Sequence, residues 1–266
     1  MVNTINVELH PKPTMLDLAW AEAPQPPTDL IFDDGVPLAS NRHRIAMNLL
    51  IRSLPQAMGD RTDFFVGGNM FIYYSRNQAM NRDFRGPDFF AVLDVDGTKE
   101  RQGWVVWEED GRYPDVIVEL LSPSTEAVDR YEKKALYQRV FRTNDYFIFD
   151  PFNPESFKGW HLGSKKRYRS LKPNDQGWLW CETLGLWLGT WEGMIDREPG
   201  TGTCHWLRFY DADGNLVPLR EELAQQQAEM AQQQAEMAQR ELEEERQRSE
   251  RLAHQLRALG IDPKTI

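Results

Sequence analysis

Cysteine is scarce. The chain has only Cys181 and Cys204, too few to staple a domain of this size and without metal-ligand spacing, so a disulfide scaffold is excluded and a reducing compartment is expected. The five histidines, His10, His43, His161, His205 and His254, show no HxxxH or HxH spacing, which argues against a zinc site. No segment approaches the roughly 18 consecutive apolar residues of a membrane span. Nor does the N-terminus show a basic stretch followed by an apolar run, so the expectation is a cytoplasmic protein with no membrane partner. Positive charge is in deficit as well, 31 Lys and Arg against 41 Asp and Glu for a net charge of -10. A protein that coats nucleic acid by bulk electrostatics needs the opposite balance, so any contact with nucleic acid must be local. The G-x-S-x-G turn of a serine nucleophile is absent, and Ser122-Pro123-Ser124-Thr125 reads as a helix cap.

What is present fits a folded α/β protein. Nine tryptophans and 41% hydrophobic residues among 266 allow a sizeable core. Residues 1–28, with five prolines, read as an extended arm in which Met15, Leu16, Leu18, Ala19 and Trp20 offer at most a short element. Ser40 or Asn41 can cap a helix whose apolar positions Ile45, Leu49, Leu50 and Leu54 precede a stop at Pro55. Apolar or alternating runs at 63–66 with 70–74, 89–93 and 116–121 read as strands bounded by Gly, Pro and Asn turns. A second helix is expected over 125–141, then a strand over 146–149. Beyond Pro151 the short Trp-rich pieces at 159–162, 167–171, 178–181, 186–188 and 207–210 read as hairpins extending the sheet. The globular part is thus expected over 29–218.

From Leu219 the composition turns to Ala, Gln, Glu and Arg, with no Pro or Gly until Gly260, so 219–260 is expected to be a helical tail. Residues 224–230 and 231–237 are the same heptapeptide, AQQQAEM. Ala224, Ala228, Ala231, Ala235, Ala238, Leu242, Leu252, Leu256 and Leu259 fall on one alternating four-and-three seam, interrupted at Glu245 and Ser249. A coiled coil joining two or more copies fits the seam. A solvated single helix fits its small alanines.

The chemistry sits in the acidic residues. Gly86-Pro87-Asp88 leads into one strand and Pro114-Asp115 into the next, where Glu119 is embedded in VIVELL. An ionised Glu in such a run is costly to bury without a counter-ion, a hydrogen-bonding partner or a metal. Alternation puts Glu119 on a face with Ile117 and Leu121, opposite Val116, Val118 and Leu120, where Asp88 from a neighbouring strand can meet it. Two convergent carboxylates make a hard-oxygen site for magnesium or manganese, which suits phosphodiester hydrolysis. A cation is wanted nearby, but the position two residues after Glu119 is Leu121. Lys133 and Lys134 on the following helix are the substitutes, about 100° apart, so one of them faces a given site. Asp115 is expected only to cap its turn. Lys158, Lys165, Lys166, Arg167, Arg169 and Lys172, with Trp160 and Tyr168 between them, either track a phosphate backbone or guard a sheet edge.

The runs PDVIVELLSPST, DRYEKKALY and NDYFIFDP, together with GNMFIYY and Pro87-Asp88, resemble the restriction endonucleases of the Uma-two type, a branch of the PD-(D/E)XK nuclease superfamily, over about residues 29–188. The resemblance implies a restriction-endonuclease-like mixed sheet flanked by helices, acting on DNA. It implies Asp88 and Glu119 as metal ligands and a catalytic lysine moved to the helix. On the family's pattern that lysine is Lys133, with Lys134 in reserve. A histidine early in the first helix is matched by His43 or displaced by Arg42. The alternative is a nuclease-fold module without catalysis that binds nucleic acid or assembles through its tail.

Overall fold

The computed structural model describes residues 30–32, 40–80, 85–123, 126–195 and 198–259. The expected N-terminal arm and the capping residues Ser124 and Thr125 lie outside them.

Helix α1 (Asn41–Met58) starts where Ser40 accepts a hydrogen bond from the His43 amide, and it buries Ile45, Leu49, Leu50 and Leu54. It does not stop at Pro55 but runs on to Met58. Ala57 and Met58 still pack against the core, and that burial in the last turn offsets the missing backbone donor. Strands β1 (Phe64–Gly67) and β2 (Ile72–Tyr73) follow, then a short helix α2 (Arg76–Met80), β3 (Phe89–Leu93), β4 (Trp104–Val105) and β5 (Val116–Leu120). Helix α3 covers 128–141 and opens and closes with π-helical turns, Val128–Lys133 and Tyr137–Phe141, around an α-helical centre. Next come β6 (Asp145–Asp150), β7 (Asn153–Leu162), β8 (Tyr168–Ser170), β9 (Leu179–Cys181), β10 (Leu186–Gly193), β11 (Cys204–Tyr210) and the 39-residue helix α4 (Arg220–Ala258).

The main sheet has the order β1-β3-β5-β6-β7-β8. All neighbours are antiparallel except β5 and β6. A parallel pair needs a crossover, and α3 is that crossover. The β-branched and aromatic runs of β5 and β6 are buried on both faces, as a central parallel pair requires. One face, with Val116, Val118, Leu120, Phe147 and Phe149, packs against α1. The other, with Ile117, Leu121, Tyr146 and Ile148, packs against Tyr137 and Phe141 of α3.

The strand expected within 70–74 forms as β2, which pairs in parallel with β4 outside the main sheet, but one strand expectation is corrected. The last three strands do not extend the sheet. They form a second sheet, β11-β10-β9, whose Leu179, Leu188, Trp206 and Phe209 share the α1 core. That burial requires face-to-face packing, which continuing the edge would not provide.

The tail helix is anchored at its first turn. Fully buried Arg208 makes a bidentate pair with Glu222 at 3.1 and 2.8 Å, and the Leu219 amide donates to the same carboxylate at 2.7 Å. Beyond this turn, residues 223–259 are exposed apart from half-buried Ala253 and Leu256. No described helix is long and apolar enough to cross a membrane.

Candidate active site

Phe89 lies opposite Val118 in the β3–β5 pair, so the preceding residue, Asp88, falls opposite Glu119. The Asp88 carboxylate accepts a hydrogen bond from the Leu120 amide at 2.8 Å and interacts electrostatically with Glu119. Gly68 lets the backbone at Asp88 pass close to it: a Cβ there would come within 2.3 Å of the Asp88 carbonyl. Glu119 is on the α3 face of β5, as alternation predicts, and is 1% exposed. The Tyr137 hydroxyl donates to its Oε1 at 2.7 Å, and the Lys133 ammonium donates to its Oε2 at 3.0 Å.

Lys133 therefore points into the site. Its neighbour Lys134 points away, with Nζ 3.6 Å above the Trp160 ring. Lys133 Nζ also lies 2.8 Å from Asp129 Oδ1, an ion pair whose angle is poor for a hydrogen bond. Asp129, Lys133 and Tyr137 are four residues apart in turn, so they line one face of α3. That i, i+4 spacing was the available signal for Asp129 and Tyr137, which sequence reasoning passed over.

Burial dominates the electrostatics. It pushes the Glu119 carboxyl up to about 8 despite the Lys133 ammonium, with the Asp88 charge adding to the rise. Burial likewise raises Asp88 to about 6 against the pull of the Leu120 amide and Lys133. For Lys133, burial works against the charge, but Glu119 and Asp129 outweigh it and hold the ammonium above its ordinary range. Lys133 has two acidic partners, Glu119 at 3.0 Å and Asp129 at 2.8 Å.

When ionised, Asp88, Glu119 and Asp129 bring three negative charges to one ammonium. The two left uncompensated match a divalent cation. Among the described residues no group of three or more His, Cys, Asp or Glu side chains forms a metal cage. An ion on Asp88 and Glu119 would complete its shell with water, backbone carbonyls or substrate, the usual habit of magnesium.

The remaining sequence candidates have other employments. A carbonyl only accepts, so His43 Nε2–H donates to Leu121 O at 3.0 Å, and Nδ1 accepts from Ser40 Oγ at 2.8 Å. His43 thus ties the start of α1 to the chain just past Glu119. The Arg42 guanidinium lies 4.7 Å from the centre of the Phe152 ring. Asp115 accepts from the Leu93 amide at 2.9 Å and pairs with Arg112 at 3.4 Å, binding its strand ends together.

A mixed sheet flanked by helices, with two acidic side chains and a lysine meeting on its central strands, defines an α/β protein of the restriction-endonuclease-like class. The chain belongs to the Uma2 family, described as "Putative restriction endonuclease", whose model matches residues 17–191. No curated protein matches it. Among solved structures, a "putative nuclease belonging to DUF820" from Anabaena variabilis ATCC 29413 is similar at 12% identity and a TM-score of 0.40, over 65% of this chain and 91% of that one.

Proposed function

We propose that the chain is a metal-dependent endonuclease that hydrolyses phosphodiester bonds in DNA. In this reading Asp88 and Glu119 hold magnesium, with manganese as a substitute, and Lys133 orients the attacking water or counters phosphate charge. One observation carries it: the half-buried Asp88 and the buried Glu119 face each other across β3 and β5 beside the Lys133 ammonium, in a chain of a restriction-endonuclease family. A divalent ion at this place supplies a Lewis acid for the phosphoryl oxygens and makes a water acidic enough to attack at neutral pH. Lys133 can stay charged on Asp129 when Glu119 turns to such an ion, because it has both partners. The test is conversion of supercoiled plasmid to nicked and linear forms by the full chain in magnesium, manganese or EDTA. Cleavage in either metal and none in EDTA is expected. Intact plasmid under all three conditions would sink the reading.

The raised carboxyls also predict a pH dependence of stability. A carboxyl whose pKa is higher in the folded than in the unfolded chain keeps its proton in the fold, so its stabilising contribution is complete below the unfolded value. That contribution is lost as pH rises through the folded value. In EDTA the chain should therefore lose several kcal/mol between about pH 4 and 8, the Asp88 part being complete near 6 and the Glu119 part near 8. Magnesium should restore most of this loss at the alkaline end, where both carboxyls are ionised and free to bind it. Thermal melts across that range check it. A flat profile in EDTA would mean that the two carboxyls are not raised.

A further inference from the structure

The basic stretch at 158–172 divides by strand geometry. Trp160 and Tyr168 pack against the α3-side core and both stack on Tyr146, at centroid distances of 5.7 and 6.0 Å. Lys134 caps Trp160, and the Tyr168 hydroxyl donates to Thr143 O at 3.0 Å. Neither ring is free to stack on a base. Arg169 pairs opposite His161, whose ring turns to Asp145 at 2.8 Å, and its guanidinium folds over Gly163. Lys165, Lys166 and Arg167 occupy the hairpin between β7 and β8.

Lys158 is different. Glu119 pairs with Ile148, and Ile148 pairs with Lys158, so the three lie side by side across β5, β6 and β7. Lys158 is two residues from Trp160 and shares its face, the face of Glu119. Trp160 pairs with Ser170 and the Leu171 amide donates to Gly159 O at 2.9 Å, so Lys172 comes next in the same row. Both lysines lie just past the paired segment of β7 and β8, Trp160–Leu162 with Tyr168–Ser170, while Lys158 still pairs with Ile148 of β6 and so stays in the row that leads to Glu119. Lys158 and Lys172 are exposed, their side chains have no ion pair or hydrogen bond among the described residues, and no acidic residue occurs from 158 to 172.

Resting on the nuclease reading above, we propose that Lys158 and Lys172 grip the phosphate backbone of duplex DNA in line with Asp88 and Glu119. Strands lie about 4.8 Å apart, which places the two lysine positions about 10 and 14 Å from Glu119 along the row. Each DNA strand carries one phosphate per about 3.4 Å of axis, so the pair reaches phosphates roughly three and four nucleotides from the cleaved bond. With both rings half-buried and stacked on Tyr146, the contact is to backbone and not to unpaired bases. It supplies locally the positive charge that the chain as a whole lacks.

The test compares the full chain with K158Q/K172Q and, as a control, K166Q/R169Q, by anisotropy of a labelled duplex in calcium across a salt series. Losing two phosphate contacts should make the slope of log K against log salt shallower by about 1.8 and weaken binding roughly tenfold or more at about 0.1 M salt. Each single variant should account for half of the slope change, and the control pair for little of it. In magnesium the double variant should raise KM and keep kcat within about twofold. Unchanged thermal midpoints show the fold intact. Wild-type affinity and slope in K158Q/K172Q, or an equal loss in the control, would overturn the lysine row even if cleavage persists. Loss of binding in K158Q/K172Q when wild type binds but never cleaves supports the row and overturns the catalytic reading. No duplex binding by wild type overturns both.

Discussion

Glu119→Gln is expected to lower metal-dependent cleavage by at least about three orders of magnitude while leaving the fold intact. The amide is nearly isosteric and can still accept from the Tyr137 hydroxyl, 2.7 Å from Oε1 in the native chain. What it loses is the charge that a divalent ion requires. Glu119 holds its proton to about pH 8, so the neutral amide imitates the form that the cation-free fold prefers. The variant should therefore match wild type near pH 4 in EDTA and be increasingly the more stable of the two up to about pH 8. That combination, inactive yet no less stable, separates a missing ligand from a broken structure. Asp88→Asn should behave alike with a smaller stability change, since its carboxyl rises only to about 6. Its carbonyl oxygen can keep the bond from the Leu120 amide. Cleavage at wild-type rates by both variants, in the same assay, would remove the two carboxylates from the site.

Glu119 was legible because a Glu in VIVELL violates the pattern around it, and alternation alone gave its face. The α1 start at Ser40 and the crossover from β5 to β6 were legible for similar reasons: a capping side chain, and two long apolar runs separated by a helix. Asp88 needed the strand register, which no local pattern encodes. The second sheet was not legible, because short Trp-rich strands read the same whether they extend an edge or fold beneath it. Long-range packing of Trp206 and Phe209 on the α1 core decides between these. The choice between Lys133 and Lys134 was also beyond periodicity. The π-helical turns at both ends of α3 change the angular step per residue, so a heading counted at 100° per residue drifts from the real one. The tail remains the part where sequence and structure agree on a helix and leave its exposed seam without a partner among the described residues.

The lysine assignment gives the second large effect. Lys133→Met should reduce kcat by roughly two to four orders of magnitude with little change in KM, because the ammonium acts on the reacting phosphate and water more than on the bound strand. Lys134→Met should lose only the contact with Trp160, about 1 kcal/mol or less of stability, and cleave within about threefold of wild type. A merely structural Lys133 would show the reverse split: K133M would be destabilised, and the protein that still folds would be fully active. The electrostatics sharpen the contrast. Lys133 pulls the Glu119 pKa downward, so without it Glu119 should hold its proton still more tightly and bind magnesium with a midpoint moved to higher pH. Lys133→Arg, which keeps the charge in a different shape, should recover the magnesium midpoint but only part of kcat. If K134M is the inactive variant and K133M cleaves normally, the helix presents its other lysine to the substrate, and the Lys133 bridge between Glu119 and Asp129 belongs to the resting fold alone.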